Sequence, residues 1–167
     1  MNGSRILFKL YMLPYTRVVR REMDLGDIGK DDVVLNVGCG SMPFTAALIT
    51  DLTGAKVVAV DVDGEAVKTA RHTISMLGLD DRVEILHADG AGPIGRRFNK
   101  AVLALHVEPK DIVVSRLLDD PYVKAVVIRM PRGALMASYG GDRVLSPFAK
   151  QVGHLMPTFD RSLLFTQ

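Results

Sequence analysis

The feature that most constrains this chain is a regular alternation of two patterns that begins at residue 33. Short apolar runs rich in β-branched residues occupy residues 33–37, 56–60, 83–87, 100–106 and 123–130. Segments with the periodicity of a helix lie between them, at 43–53, 64–77 and 109–119. Strands that alternate with helices in this way predict parallel pairing, with helices covering both faces of the sheet. The sequence therefore predicts an α/β fold with a doubly wound, mostly parallel sheet.

The segment before the first strand has a mixed helical character. Apolar residues recur at helical spacing through residues 5–25, and Pro14 interrupts the pattern because proline lacks the N–H of the helical hydrogen bond. Polar and turn-forming residues then fill 26–32. We expect residues 1–30 to form a helical preface and a connector that lead into the α/β domain.

The end of the chain follows a different pattern from the alternating segment. Residues 153–158 and 161–166 are expected to pair as two antiparallel strands around Phe159 and Asp160. This pairing would add a C-terminal antiparallel hairpin to the sheet. No repeat or break in composition divides the rest, so residues 31–167 are expected to form a single domain.

Composition bounds the class of protein and its compartment. At 167 residues, the chain is long enough for one domain with a sizeable core. Its apolar runs fall well short of the roughly 20 residues that cross a membrane, and its N-terminus lacks the small-residue cleavage site of a signal peptide. The single cysteine, Cys39, cannot form an internal disulfide. These observations favour a cytoplasmic protein with no membrane partner.

Charge and histidine spacing argue against two classes of ligand. A formal net charge of +2 and 6% aromatic residues, with no tryptophan, give little basis for a nucleic-acid surface. The four histidines show no ligand spacing, and one cysteine cannot complete a zinc set. We therefore expect neither a nucleic-acid partner nor a metal site.

A glycine-rich loop follows the first predicted strand directly. Gly38 and Gly40 allow the backbone to turn sharply and to approach a ligand closely before a helix begins at Phe44. The dinucleotide fingerprint has a third glycine where this chain has Pro43, which removes an N–H donor from the helix start. The loop therefore fits a cofactor without a pyrophosphate better than NAD or FAD. The alternative is a tight turn that binds no ligand.

Two acidic residues stand at the carboxyl ends of the next two strands. Asp61, just past the second strand, is placed to accept hydrogen bonds from both hydroxyls of a ribose. The alternative role is a helix N-cap, for which Asp63 is the better placed. Asp89, at the end of the third strand, is placed to accept a hydrogen bond from an adenine amine, or is simply a loop carboxylate. The glycine loop and both acids share the edge where open α/β sheets bind ligands.

Three segments together, 36–40, 59–63 and 87–89, resemble class I S-adenosylmethionine-dependent methyltransferases. This resemblance implies a Rossmann-like sheet and S-adenosylmethionine as the cofactor. In that superfamily the glycine loop faces the methionine part, the acid after the second strand holds the ribose, and the acid after the third strand reads the adenine. The cofactor site implied for this chain consists of Gly38, Cys39, Gly40, Asp61, Val62, Ala88, Asp89 and Leu105.

A narrower resemblance points to nicotianamine synthases. Residues 38–45 are similar to their glycine-loop segment, and residues 104–110 and 129–145 resemble archaeal members. Those enzymes transfer the aminobutyrate arm of S-adenosylmethionine rather than its methyl group. They carry a helical domain before the Rossmann part, whereas only residues 1–30 precede it here, so a catalytic acid of that domain has no clear counterpart. Tyr15 corresponds to a family tyrosine that lies shortly before the first strand.

His106 and Tyr15 are the candidate catalytic residues. His106, at the end of the fourth predicted strand, is placed to act as a general base on an acceptor amine or hydroxyl. A histidine that is hydrogen-bonded to a loop is the alternative. Tyr15 is expected near the mouth of the cofactor crevice, and core packing is its alternative role.

These observations favour an S-adenosylmethionine-dependent transferase that acts on a small-molecule acceptor, with methyl transfer as the default. Aminobutyrate transfer and a non-catalytic cofactor-binding subunit are the alternatives. An RNA methyltransferase is disfavoured because the charge is modest and aromatic residues are few. The resemblance also argues against nucleic-acid amine methyltransferases, whose Asn-Pro-Pro-Tyr-type tetrapeptide does not follow the fourth strand here. The apolar face of residues 5–25 would gain by burial, so we expect a homodimer or a partner subunit.

Overall fold

The computed structural model describes residues 3–132 and 148–167, which form one seven-stranded sheet with helices on both faces. The helices are α1 Gly3–Tyr11, α2 Leu13–Gly26, α3 Phe44–Thr53, α4 Gly64–Leu77 and α5 Lys110–Asp119. The strands are β1 Val33–Val37, β2 Lys56–Asp61, β3 Val83–His87, β4 Lys100–Leu103, β5 Ala125–Pro131, β6 Lys150–Gly153 and β7 Phe159–Thr166. None of the described helices is long and apolar enough to cross a membrane.

The strand order is β3-β2-β1-β4-β5-β7-β6, and the first five strands in that order run parallel. In β1, Val34 pairs with Val57 of β2 on one side and with Lys100 of β4 on the other. β7 runs antiparallel between β5 and β6. The predicted doubly wound, mostly parallel sheet with antiparallel C-terminal strands is therefore confirmed. Its order reverses between β1 and β4, which is where ligand crevices form in such sheets.

Alternating side chains of the strands build two cores, one on each face of the sheet. Val34 and Val57 pack with residues of α2, α3 and α4, while Leu35 and Val58 pack on the other face with residues of α5. Both faces of the central strands are buried, which explains why their sequences are apolar at nearly every position. The polar side chains of this region are consequently concentrated in the loops at the strand ends.

The preface is two helices rather than one helix interrupted at Pro14. The helices meet at Met12, so Pro14 lies in the first turn of α2, where its missing N–H costs no helical hydrogen bond. Three rings of the preface surround Phe44, the first residue of α3. They belong to Phe8, Tyr11 and Tyr15, at centroid distances of 5.3, 5.6 and 5.9 Å. Aromatic contacts therefore attach the preface to the helix that follows the glycine loop.

A buried polar network, built on one ion pair, joins α2 to the strands β5 and β7. Glu22 is fully buried, and its two carboxylate oxygens accept hydrogen bonds from Arg129 of β5 at 2.9 and 2.8 Å. Ser162 of β7 donates a further hydrogen bond to Glu22 at 2.7 Å. A buried carboxylate requires such partners, because its desolvation would otherwise destabilise the fold. The network fixes α2 over the two strands.

Three predicted strands have different bounds in the structure. The second, predicted over 56–60, extends to Asp61. The fourth, predicted over 100–106, ends before Ala104 because a turn follows, in which the N–H of Val107 donates to the carbonyl of Ala104. The fifth, predicted over 123–130, begins two residues later and ends one residue later, and spans Ala125–Pro131. The shorter β4 moves the predicted site residues that follow it from a strand into a turn.

The C-terminal hairpin forms, but its turn is not where the pattern placed it. Phe159 and Asp160, predicted as the turn, lie in β7, and the connection spans 154–158. Phe159 is buried and pairs with Pro131 of β5, so the strand begins at that residue. Residues 133–145 of the narrower family resemblance lie outside the described part of the chain.

Removing the charge of Glu22 is expected to destabilise the fold, because Arg129 would remain buried without its partner. Glu22→Gln should lower the free energy of unfolding by about 3 kcal/mol or more, measured by urea denaturation. Asp24→Asn, at an exposed position of the same helix, is the matched control and should change it by less than about 0.5 kcal/mol. A Glu22→Gln effect as small as that of the control would contradict the structural role of the ion pair.

Candidate cofactor site

The glycine loop between β1 and α3 has a backbone conformation that favours glycine. Gly38 has a φ of +76° and Gly40 a φ of +64°, a region that residues with a Cβ rarely adopt. A Cβ on Gly38 would also lie 2.8 Å from Cγ2 of Val107, because the turn after β4 packs directly against the loop. Gly38 is therefore required for both conformation and space.

The two ends of the glycine loop have different surroundings. A Cβ on Gly40 would meet no atom of the described residues within 4 Å, so the backbone is open on that side. The beginning of the loop is anchored, because the N–H groups of Gly38 and Cys39 donate to the carbonyl of Val60 at 2.9 and 3.1 Å. The loop is thus a fixed turn with one open backbone face, where a ligand can approach closely.

The carboxylate of Asp61 ties the glycine loop to the end of β2. Its Oδ2 accepts a hydrogen bond from the N–H of Gly40 at 2.8 Å, and its Oδ1 accepts one from the N–H of Asp63 at 3.0 Å. Its backbone carbonyl accepts a hydrogen bond at 3.0 Å from the N–H of Ala88, just beyond β3. Asp61 is the last residue of β2 rather than the first residue beyond it, and it connects all three loops of the predicted site.

Asp63 occupies the capping position that the sequence predicted. Its Oδ1 accepts hydrogen bonds from the N–H groups of Glu65 and Ala66 and so caps the N-terminus of α4. Val62, which precedes it, is 66% exposed, and the Val62 carbonyl oxygen lies 2.9 Å from Nε2 of His87. An exposed apolar side chain therefore lies next to the acid at the end of β2.

Asp89 lies beyond β3 in a loop that packs on β1. It is exposed, and its Oδ1 accepts a hydrogen bond from the N–H of Ala91 at 2.9 Å. Gly90 follows it, and a Cβ at that position would lie only 2.5 Å from Cγ1 of Val37. Gly90 is a site-forming residue that our reading of the sequence missed, although an Asp-Gly pair one residue after a strand could have indicated it. Its close approach brings the Asp89 loop against the strand that leads into the glycine loop.

Cys39 packs inside the glycine loop. Its side chain is buried in the core on the α3 face of the sheet. Burial, with a smaller contribution from the negative charge of Asp61, raises the pKa of the thiol to about 12. A thiol with this pKa stays protonated at neutral pH and is a poor nucleophile. Ala88 and Leu105, two further predicted site residues, are half-buried.

The two candidate catalytic residues lie in different surroundings. His106 is exposed in the turn after β4 rather than at the end of a strand, and it has no hydrogen bond or ion pair with the described residues. Tyr15 is half-buried in α2, and its ring stacks on Phe44 with an interplanar angle of 19°. Tyr15 and Leu105 both pack against one small cluster. Tyr15 thus makes packing contacts and lies beside the helix that follows the glycine loop.

A buried lysine holds the turn that contains His106. Nζ of Lys110 donates hydrogen bonds to the carbonyls of Leu105 at 2.7 Å and of Arg129 at 3.2 Å. Burial lowers the pKa of Lys110, an effect that the charge of Glu108 opposes. The turn after β4 is therefore attached to β5 as well as to the glycine loop, which local sequence patterns did not indicate.

The hydrogen-bond donors of the glycine loop restrict the class of adenosine cofactor. A pyrophosphate needs several N–H donors at a helix start, but Pro43 has none, and the N–H of Gly40 is donated to Asp61. The loop is therefore better suited to a nucleoside without a diphosphate. Within residues 3–132 and 148–167, no group of histidine, cysteine, aspartate and glutamate side chains could hold a metal ion.

Comparison with known proteins gives related sequences and related folds. An L-histidine 2-aminobutanoyltransferase of Yersinia pestis is 28% identical over 114 residues, which are 68% of this chain and 42% of that protein. The crystal structure of MtNAS in complex with MTA and tNA has a TM-score of 0.77 and 22% identity, over 96% of this chain and 63% of that one. The chain spans less than two thirds of the length of both proteins.

A second solved structure covers most of both chains. The RNA methyltransferase of Salinibacter ruber, in complex with S-adenosyl-L-homocysteine, has a TM-score of 0.68 and 20% identity, over 90% of each chain. At such identities the likeness shows the fold alone. That fold is the Rossmann-like sheet of methyltransferases, which the sequence motifs predicted.

A family model identifies the chain more directly than the individual relatives do. The model described as ribosomal protein L11 methyltransferase (PrmA) matches residues 22–129, which are more than half of the chain. The matched range contains the glycine loop, Asp61 and Asp89. The resemblance to class I methyltransferases is thereby confirmed, and S-adenosylmethionine is the cofactor of this family. The chain belongs to the ribosomal protein L11 methyltransferase (PrmA) family.

Proposed function

We propose that this chain binds S-adenosylmethionine in the crevice at the carboxyl ends of β1, β2 and β3 and transfers its methyl group to a small acceptor. The observation that carries this proposal is the Asp61 carboxylate, which joins the glycine loop to the loop after β2. An acid in this position faces a ribose that lies across the glycine loop. Membership of a methyltransferase family supports the proposal.

Each part of the cofactor has a proposed partner in the crevice. The loop at Gly38 and Gly40 receives the methionine part, and Asp61 accepts hydrogen bonds from the two ribose hydroxyls. Asp89 accepts a hydrogen bond from the exocyclic amine of the adenine, and the exposed Val62 side chain lies against the base. The remaining lining is proposed to come from Cys39, Ala88 and Leu105.

The residues of the chain serve mainly to hold and orient, because S-adenosylmethionine supplies an activated carbon on its sulfonium when bound. The acceptor atom must lie in line with the bond that breaks, so its positioning decides the rate. His106, exposed in the turn after β4, is proposed to accept a proton from the acceptor. Tyr15 is proposed to form the wall of the crevice next to Leu105, since both residues pack on the same cluster.

Transfer of the aminobutyrate arm is the second candidate function. The name of the Yersinia pestis relative, an L-histidine 2-aminobutanoyltransferase, supports it. The two reactions differ in which carbon of the cofactor faces the acceptor.

A cofactor-binding subunit that works with a second chain is the third candidate. Several large apolar side chains of the preface expose more than half of their surface: Leu7, Leu10, Tyr11 and Leu13. An apolar face of this kind supports a homodimer or a partner subunit. An RNA acceptor has less support, because the net charge is small and aromatic residues are few.

Product analysis separates these candidates. The full chain is incubated with S-adenosylmethionine and a pool of small metabolites, and the nucleoside products are measured by mass spectrometry. We expect S-adenosylhomocysteine, because methyl transfer breaks the bond between sulfur and the methyl carbon. A sample without the pool controls for spontaneous breakdown of the cofactor. Methylthioadenosine would instead establish aminobutyrate transfer, and cofactor binding with neither product would favour the subunit.

The role of Asp61 is tested against that of Asp63. Asp61→Ala is expected to weaken S-adenosylmethionine binding by about 10- to 100-fold, since charge-assisted hydrogen bonds to the ribose are lost. Asp63→Ala is the matched control, because it removes the cap of α4 but no proposed cofactor contact. It should lower the melting temperature and change the affinity by less than about threefold. Titration calorimetry measures both affinities, and equal losses would show that Asp61 does not hold the ribose.

A further inference from the structure

A pocket of about 460 Å³ lies between α2 and the connection from β6 to β7, and the function proposed above does not use it. Its walls include Arg17 and Arg21 from α2, and His154 and Met156 from the connection. We refer to it as the α2 pocket. It combines positive charge with a buried polar side chain, which together indicate a small polar ligand.

The α2 pocket lies at the same edge of the sheet as the cofactor crevice. β7 begins opposite the end of β5, where Phe159 pairs with Pro131, so the connection before β7 emerges at the carboxyl edge. Val18 and Met156 line the pocket and form, with Phe159, the cluster against which Leu105 packs. Leu105 belongs to the proposed cofactor lining. One small cluster therefore contacts both the pocket and the proposed cofactor lining.

The pocket contains a buried histidine with an unpartnered nitrogen. His154 is only 5% exposed, and its Nε2 lies 2.9 Å from Oγ of Ser162. Its Nδ1 is buried and has no hydrogen-bond partner in the described part of the chain. Buried polar atoms of folded proteins are normally paired, so the unpaired nitrogen of a residue that lines the pocket marks a place for a hydrogen-bond donor.

The neighbours of His154 determine the chemistry of that nitrogen. Ser162 donates its single hydroxyl proton to the carboxylate of Glu22, so it accepts a hydrogen bond from His154, and Nε2 carries the ring proton. Burial lowers the pKa of His154, although the charge of Glu22 opposes this effect. The ring is therefore neutral at pH 7, and Nδ1 presents a lone pair that accepts a hydrogen bond.

Two arginines supply the positive charge of the pocket. Arg17 and Arg21 are exposed, and neither forms an ion pair within residues 3–132 and 148–167. Arg21 donates one of its N–H groups to the carbonyl of Gly153 at 2.7 Å. A guanidinium presents its N–H donors as a planar fork that matches a carboxylate. The positive charge therefore selects an anionic group, and a carboxylate is one of the anions whose geometry the planar fork fits.

We propose that the α2 pocket is the acceptor site and takes a small carboxylate that also carries an N–H or O–H group. The carboxylate lies on the guanidinium of Arg17, with Arg21 beside it, and the N–H or O–H group donates to Nδ1 of His154. This assignment rests on the proposed transferase function, because it names the class of the acceptor. The cluster that packs against Leu105 also lines the pocket, so the proposed acceptor would bind on the side of that cluster away from the proposed cofactor lining.

Titration calorimetry of the full chain with small carboxylates tests this assignment, with and without S-adenosylhomocysteine. The probes are glycine, glycolate, L-glutamate and L-histidine, each compared with its carboxamide and with acetate, which lacks a second donor. At least one of the four acids is expected to bind about tenfold more tightly than its carboxamide and than acetate. Binding of none of them, or equal binding of the acid and its amide, would overturn the proposal.

Variants on and beside the pocket add a second test. Arg17→Gln is expected to weaken binding of the acid about tenfold. Arg20→Gln, at an exposed position of the same helix outside the pocket wall, should leave it within about twofold. His154→Gln keeps an amide N–H for Ser162 but removes the Nδ1 lone pair, so the preference over acetate should disappear. Equal effects of the two arginine variants, or an unchanged preference in His154→Gln, would overturn the site.

Cofactor titration separates failure of this proposal from failure of the proposed function. If the chain binds a carboxylate but not S-adenosylhomocysteine, the proposed transferase function would be overturned, and the pocket would be an anion site only. If the chain binds S-adenosylhomocysteine but none of the carboxylates, the acceptor pocket alone would be overturned. His154→Gln should bind S-adenosylhomocysteine as the unmodified chain does, because His154 is not among the proposed cofactor contacts.

Discussion

The geometry of the crevice depends on the hydrogen bonds that Asp61 accepts. Its carboxylate binds the N–H of Gly40 on one side and that of Asp63 on the other, and its carbonyl binds the N–H of Ala88. These contacts are possible because β2 lies between β1 and β3, and parallel strands end at one edge of the sheet. Strand order thus brings three loops together, and Asp61 fixes their relative positions.

A second polar network organises the other half of the sheet. Glu22 and Arg129 join α2 to β5, and Ser162 extends the network to β7. His154 contacts Ser162, so the hydrogen bonds that stabilise the fold also orient the histidine ring in the α2 pocket. The packing of α2 and the proposed acceptor site therefore depend on the same buried groups. A transferase needs this half of the sheet to stay fixed, because the acceptor must lie in line with the cofactor.

Sequence patterns predicted the features that local chemistry determines and missed those set by distant contacts. The alternation of strands and helices, the positive-φ Gly38 and the N-cap Asp63 each follow from a few neighbouring residues. Glu22 and Arg129 are separated by 107 positions, and nothing near either residue marks the other as its partner. The hairpin turn was misplaced because pairing with β5, rather than local turn chemistry, determines that Phe159 lies in a strand.

The central claim is that the crevice takes S-adenosylmethionine rather than a dinucleotide. Titration calorimetry of the full chain with S-adenosylmethionine, and separately with NAD, tests it most directly. We predict that S-adenosylmethionine binds at least about tenfold more tightly, because Pro43 removes an N–H that a pyrophosphate requires at the helix start. Equal or tighter binding of NAD would contradict the claim.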